Sequence, residues 1–312
     1  MYVVGIDLGG TFFKIGLVEV ENGKIVKKIE EKTLVEEGGE KVVERMAKTV
    51  QKLAKGYDIL GVGIGSPGSI DHDRGIVRFS PNFPNWTDFE LGSLLSRFLN
   101  KPVYVENDAN AFVLGEKWFG AGRGYNHIVG ITLGTGVGGG VISHGMLITG
   151  KDGIGAELGH VIIEPNGPQC GCGNYGCLEA FASATAIKRM ALEGKKKFPE
   201  SVIFNSENID GKAVFDAAKA GDLLGQIIVE RLVNALATGI SNFIHIFNPE
   251  VVVIGGGISR AGEILFEPLK KKVEHLVMPT FKGTYSIFQS PLVEEAGILG
   301  AASVILQHTS YE

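Results

Sequence analysis

Four side chains with ligand chemistry lie close together in the sequence, spaced His160-x9-Cys170-x-Cys172-x4-Cys177. One imidazole and three thiolates form the donor set of a closed tetrahedral zinc site. The chain has three cysteines in all, and an odd, tightly spaced trio suits a metal better than disulfides. The plain alternative is three reduced thiols. A closed set leaves no position for water, so a metal held there shapes its surroundings and does no chemistry itself.

A second group suits phosphate. Three glycine tips, at Gly9 to Thr11, Gly134 to Gly138 and Gly255 to Gly257, each follow an apolar, strand-like run. Glycine lets backbone N–H groups come close to an anion, and Thr11 and Thr135 add hydroxyls. Gly9, Gly10, Thr11, Gly134, Thr135, Gly136, Gly256 and Gly257 are therefore candidates to surround a polyphosphate. Taken alone, Gly9-Gly10 reads equally well as an ordinary hairpin turn. Lys14 either neutralises phosphate charge or faces solvent. Two decoys are set aside. Gly134, Gly136 and Gly139 satisfy G-x-G-x-x-G, but strand residues follow where a dinucleotide site needs a helix. Gly145 to Asp152 matches the Walker A pattern until Asp152 replaces the hydroxyl residue that binds magnesium.

The elements that must carry these residues read as two related halves. GIDLGGTFFKIGLV, from Gly5, is answered by GITLGTGVGGGVI, from Gly130, with a one-residue gap. The first half reads β-β-β-α-β-α-β, with a helix from Gly39 to Lys55 whose inner face is Val42, Val43, Met46, Val50 and Leu53. The second restarts at His127 and has helices near Leu178 to Leu192, Gly211 to Ala220 and Leu223 to Phe247, then a buried strand from Val251. At 312 residues two domains are expected. A net charge of −5 with interspersed signs offers no basic stripe for nucleic acid. The start of the chain carries no targeting signal, and the apolar run Gly297 to Leu306 is too short for a bilayer, so a soluble, cytoplasmic protein is expected.

DLGGT at Asp7, END at Glu106, LGTGVGGG at Leu133, ELGH at Glu157, CGCGNYGCLE at Cys170 and GGG at Gly255 together resemble the ROK family of sugar kinases, end to end and in order. That family lies within the actin, hexokinase and sugar-kinase superfamily. The resemblance implies a two-domain α/β, actin-like (ribonuclease H-like) ATPase fold with a duplicated β-β-β-α-β-α-β core and an interdomain cleft. The expected smaller domain is 1–110 plus about 296–312, and the larger is 111–295 with the zinc loop.

The resemblance also implies roles. Asp7 matches the carboxylate that holds Mg²⁺, and Asp108 the general base that takes the proton of the sugar's primary hydroxyl. Without the resemblance, Asp108 reads equally as a helix N-cap. Asn107, Glu157, His160 and Glu179 match residues that bind the sugar; NFPNW adds Asn82 or Asn85, of which Asn82 is taken, and its alternative is a proline-broken surface loop. His160 then serves both zinc and sugar. The expected activity is ATP-dependent phosphorylation of glucose at its 6-hydroxyl. N-acetylmannosamine, N-acetylglucosamine or fructose is the alternative substrate, and polyphosphate an alternative donor. A sugar-responsive ROK repressor is the rival class; such members carry a DNA-binding domain ahead of DLGGT, where only six residues stand here. The family implies a homodimer or larger, while the charge pattern and the short apolar runs give the expectation of no nucleic-acid or membrane partner.

Overall fold

The opening apolar run is β1 (Tyr2–Leu8), paired antiparallel with β2 (Phe12–Glu19), which pairs in turn with β3 (Lys24–Lys32). There follow α1 (Gly39–Leu53), β4 (Ile59–Ser66), the short strands β5 (Ser69–Asp71), β6 (Ile76–Phe79) and β7 (Thr87–Phe89), α2 (Leu91–Leu99), β8 (Val103–Asn107) and α3 (Asp108–Phe119). The chain restarts with β9 (Ile128–Leu133), β10 (Val137–Ser143) and β11 (Met146–Leu147), then runs through α4 (Glu179–Ala182), α5 (Ala184–Gly194), α6 (Gly211–Lys219) and α7 (Leu223–Phe247). It closes with β12 (Val251–Gly255), α8 (Glu263–Leu276), β13 (Ser286–Gln289) and α9 (Ala296–Thr309). The computed structural model describes residues 1–83 and 85–309.

Among these residues the strands form two mixed sheets, ordered β3-β2-β1-β4-β8 and β11-β10-β9-β12-β13, and a small sheet β5-β6-β7. Counted along the chain, the two larger sheets have the same order. In each, the first strand runs parallel to the fourth and the fourth to the fifth. Parallel neighbours need a crossover, which helices supply. Two compact units result. One comprises Met1–Tyr125, Gly140–Ala156 and the chain from Pro291; the other comprises Asn126–Gly139 and Glu157–Ser290.

In the first unit β1 is covered on both faces, which is why its sequence barely alternates. Val4, Ile6 and Leu8 join the core of Val42, Val43, Met46 and Val50 from α1. Val3 packs with Ile298, Ala302 and Ile305 from α9. The approach of α9 is set by glycine: a Cβ on Gly63 of β4 would lie 1.9 Å from the Ala301 carbonyl oxygen, and one on Gly5 2.2 Å from that of Ile298. In the second unit α7 is long and apolar enough to cross a membrane by length and composition. Its stripe of Leu232, Leu236, Ile240 and Phe243 is buried within the unit. The helix ends at Asn248 in the left-handed region, just before Pro249 cuts off further turns.

Two local readings change. The single helix expected over Leu178 to Leu192 is α4 and α5, parted at Ser183, whose hydroxyl accepts the Ala186 N–H at 3.0 Å and caps the second. The segment around NFPNW is not surface loop throughout, because Phe83 and Trp86 are buried, with rings stacked 4.2 Å apart. Pro84 lies outside the described residues.

Candidate active site

Several candidate residues stand at the carboxyl ends of parallel strands, where α/β sheets present their ligand groups. In the first unit, β1 ends in Asp7 and Leu8, and β8 ends in Asn107 with Asp108 opening α3. Asp7 sits opposite Lys14 on β2 and beside Gly65 on β4. Lys14 in turn faces Glu30, 3.8 Å away and largely in solvent. Lys14 thus stands next to the proposed metal carboxylate. The tip beyond Asp7 is held by its own backbone, with the Gly9 N–H on the Phe12 carbonyl at 3.0 Å and the Thr33 hydroxyl on the Gly9 carbonyl at 2.6 Å. Thr11 is exposed. Asn82 lies against Gly10, where a Cβ would approach to 3.2 Å of the asparagine. The first tip and Asn82 are therefore neighbours.

Burial pushes the Asp7 carboxyl above its ordinary value of 3.8, and the charge of Lys14 offsets part of that rise. A cation beside Asp7 would favour the ionised form, as expected of a Mg²⁺ site. The sign for the metal-free protein is clear. A raised folded-state value means full stability below the ordinary carboxylate range, lost as pH rises through the folded value. Asp7→Asn is therefore expected to unfold at a higher temperature than the parent at pH 7 in metal-free buffer, with the gap closing near pH 4, while losing activity. Thermal melts at the two pH values check this; equal midpoints at pH 7 would contradict it.

The N-cap of α3 is Asn107, the residue before Asp108. Asn107 Oδ1 accepts the N–H groups of Ala109 at 2.9 Å and Asn110 at 3.3 Å, and its Nδ2 donates to the Gly68 carbonyl at 3.0 Å. Its second amide N–H is not engaged in these bonds. Asp108 is exposed at the first helical position, with Oδ1 accepting the Ala109 N–H at 2.8 Å. Behind both, buried Glu106 accepts the Asn107 N–H at 2.8 Å and the Asn110 amide at 3.0 Å. Burial raises its carboxyl above the ordinary range. Sequence reasoning gave Glu106 no role; an acid inside an apolar strand end was the available signal.

In the second unit the tips after β9 and β12 meet at one cavity of about 600 Å³, whose walls include Gly134, Gly257, Lys212, Phe215, Ile258 and Arg260. Gly256 turns with φ 86°, and a Cβ there would lie 2.4 Å from the Leu133 carbonyl oxygen, so only glycine fits. The cavity is lined by apolar surface with Lys212, Lys219 and Arg260 and two carboxylates, Asp210 and Asp216, the latter 2.6 Å from the Lys212 ammonium. Lys212 and Phe215, on α6, were missed because α6 reads only as an amphipathic helix.

The ligand atoms of His160, Cys170, Cys172 and Cys177 all lie within 4.8 Å of one another, and among the described residues no other group of this kind occurs. Cys170 Sγ is 3.6 Å from His160 Nδ1, and Cys172 Sγ is 3.7 Å from Cys177 Sγ. Bonds of about 2.3 Å to sulfur and about 2.0 Å to nitrogen at the tetrahedral angle put donors roughly 3.5–3.8 Å apart. The donor set fits structural zinc. Glu157 is exposed just before the short helical turn Leu158–His160. Glu179 opens α4 within reach of the cysteines, its Oε1 3.3 Å from Cys170 Sγ and its Oε2 accepting the Val137 N–H at 3.0 Å. His160 and Glu179 thus meet at the cysteine cluster.

Residues 3–308 match the model of the ROK family, and the chain belongs to that family. A glucokinase of Thermotoga maritima is 60% identical over 307 residues, covering 97% of this chain and 96% of the relative. Among solved structures, a ROK glucokinase from Streptomyces griseus in complex with glucose and AMPPNP has a TM-score of 0.82 at 33% identity, covering 97% of this chain and 99% of its own. A ROK hexokinase from Thermus thermophilus has a TM-score of 0.84 at 33% identity over the full length of both.

Proposed function

We propose that the chain transfers the γ-phosphoryl group of ATP to the 6-hydroxyl of glucose, giving glucose 6-phosphate and ADP. The observation that carries this reading is the start of α3: Asn107 accepts two of the helix's N–H groups as its N-cap, and the carboxylate of Asp108 stands exposed at the first helical position beside it. Glucose as the acceptor is supported by the 60% identical glucokinase and by the related structure with glucose and AMPPNP.

In the reaction, Asp108 accepts the proton of the 6-hydroxyl as that oxygen bonds to the γ-phosphorus. The bond from phosphorus to the β,γ-bridging oxygen breaks, and ADP leaves with the electron pair. Backbone N–H groups of the tips at Gly9, Gly10, Gly134, Gly136, Gly256 and Gly257, with Thr11, Thr135 and Lys14, hold the phosphates. The second-unit cavity takes the base. Mg²⁺ neutralises phosphate charge, and Asp7 would hold it. Asn82, Asn107, Glu157, His160 and Glu179 hydrogen-bond the sugar, since each buried hydroxyl needs a partner and an unmatched group costs about 1–3 kcal/mol. His160, Cys170, Cys172 and Cys177 would hold a structural zinc, which would fix the loop from which His160 and Glu179 project.

The matching strand orders support the duplicated, ribonuclease H-like ATPase fold for this task. The enzyme works in the cytoplasm as a homo-oligomer, as its family implies. A coupled assay across glucose, mannose, fructose, N-acetylglucosamine and N-acetylmannosamine, with ATP or polyphosphate as donor, tests the reading. Glucose with ATP is expected to give the highest kcat/KM. Preference for another sugar, or transfer to none, would overturn it.

A further inference from the structure

The segment that follows the last cysteine grips the phosphate tip after β9 at successive points. Glu179 Oε2 accepts the Val137 N–H at 3.0 Å. The Ala184 N–H donates to the Gly134 carbonyl at 2.8 Å, and the Thr185 hydroxyl to the Thr135 carbonyl at 2.9 Å. Gly136 makes room for the grip, because a Cβ there would lie 2.3 Å from Glu179 Oε2. The other oxygen of Glu179 faces Cys170 Sγ at 3.3 Å, and the segment is anchored at its start by Cys177, whose neighbour Leu178 donates its N–H to the Val161 carbonyl at 3.0 Å.

We propose that Glu179 and Thr185 are positioning residues for the Gly134–Val137 tip, and that through Glu179 the cysteine loop holds that tip in place. A tip made of glycine has little to fix its own backbone, since glycine loses the most conformational freedom on ordering. Each of the three carbonyl and amide contacts restricts it from outside. His160, assigned to both zinc and sugar, would by itself confine the effect of metal loss to the sugar side. The contacts of Glu179 predict that the nucleotide side responds as well. That consequence for ATP rests on the function proposed above; the positioning itself does not.

Amide exchange of the substrate-free protein tests the positioning. Glu179→Ala is expected to speed exchange at Val137 by about fivefold or more, the ratio of roughly one lost hydrogen bond. Glu179→Gln, which keeps an oxygen for the Val137 N–H, is expected to restore most of the protection. Stripping zinc from the parent with a chelator is expected to speed Val137 together with the Cys170–Cys177 loop, while α7 stays protected. Unchanged exchange at Val137 in Glu179→Ala, or no rescue by Gln, overturns the positioning role. A loosened loop with an unchanged tip after stripping, or equal loosening of α7, overturns the link to the cysteine loop. Thr185→Val leaves every metal ligand in place, and it is expected to raise KM for ATP about fivefold with KM for glucose unchanged. Faster exchange at the tip with no change in KM for ATP would keep the positioning and overturn the phosphate role of the tip.

Discussion

Asp108→Asn is expected to lower kcat by about 10²-fold or more while leaving glucose affinity within a few-fold of the parent, because general-base help is worth roughly 10²–10⁴. The substitution keeps the shape at the first position of α3 and removes the proton acceptor. The helix is capped by Asn107 through Ala109 and Asn110, and an asparagine at position 108 keeps an oxygen for the Ala109 N–H that Asp108 also accepts. Stability should therefore change little. Steady-state kinetics with glucose titrated by calorimetry separates the outcomes. Near-parental kcat would show that another group takes the proton; a lost glucose signal would show that Asp108 binds more than it catalyses.

The second large effect is expected far from DLGGT in the sequence. A Cβ on Gly297, in the first turn of α9, would lie 2.2 Å from Asp7 Oδ2 and 2.5 Å from its Cγ. The helix cannot retreat, because Gly5, Gly63 and Gly300 already set it against backbone atoms of Ile298, Ala301 and Ala111. In Gly297→Ala the Asp7 carboxylate must swing away. Displacement of a positioning group by about 1 Å can cost about 10²-fold, and kcat/KM for MgATP is expected to fall by that order, with a raised requirement for Mg²⁺. Folding should survive, since one short side chain can rotate. Kinetics across a Mg²⁺ titration gives the answer; unchanged Mg²⁺ dependence would mean that Asp7 does not hold the metal.

These two residues show where the sequence was legible and where it was not. His160 and the cysteines could be read from spacing alone, because their partners are near in the chain and few side chains share their chemistry. Asp108 could not be told from a cap, since Asn107 and Asp108 are both good capping residues and only backbone geometry decides between them. The α1 face from Val42 to Leu53 was plain, because a 3.6-residue period survives any tertiary context. β5, β6 and β7 were not read, being three or four residues long, with β7 partly exposed. The contacts Asp7 to Gly297 and Val137 to Glu179 join residues distant in the chain, and no local pattern announces them. Such contacts follow from packing.

Phosphorus NMR of the products from purified protein, glucose and MgATP tests the central claim most directly. One glucose 6-phosphate should appear for each ADP, with no inorganic phosphate released at comparable rate. Phosphate on a different hydroxyl, or ATP hydrolysed without a sugar phosphate, would contradict it.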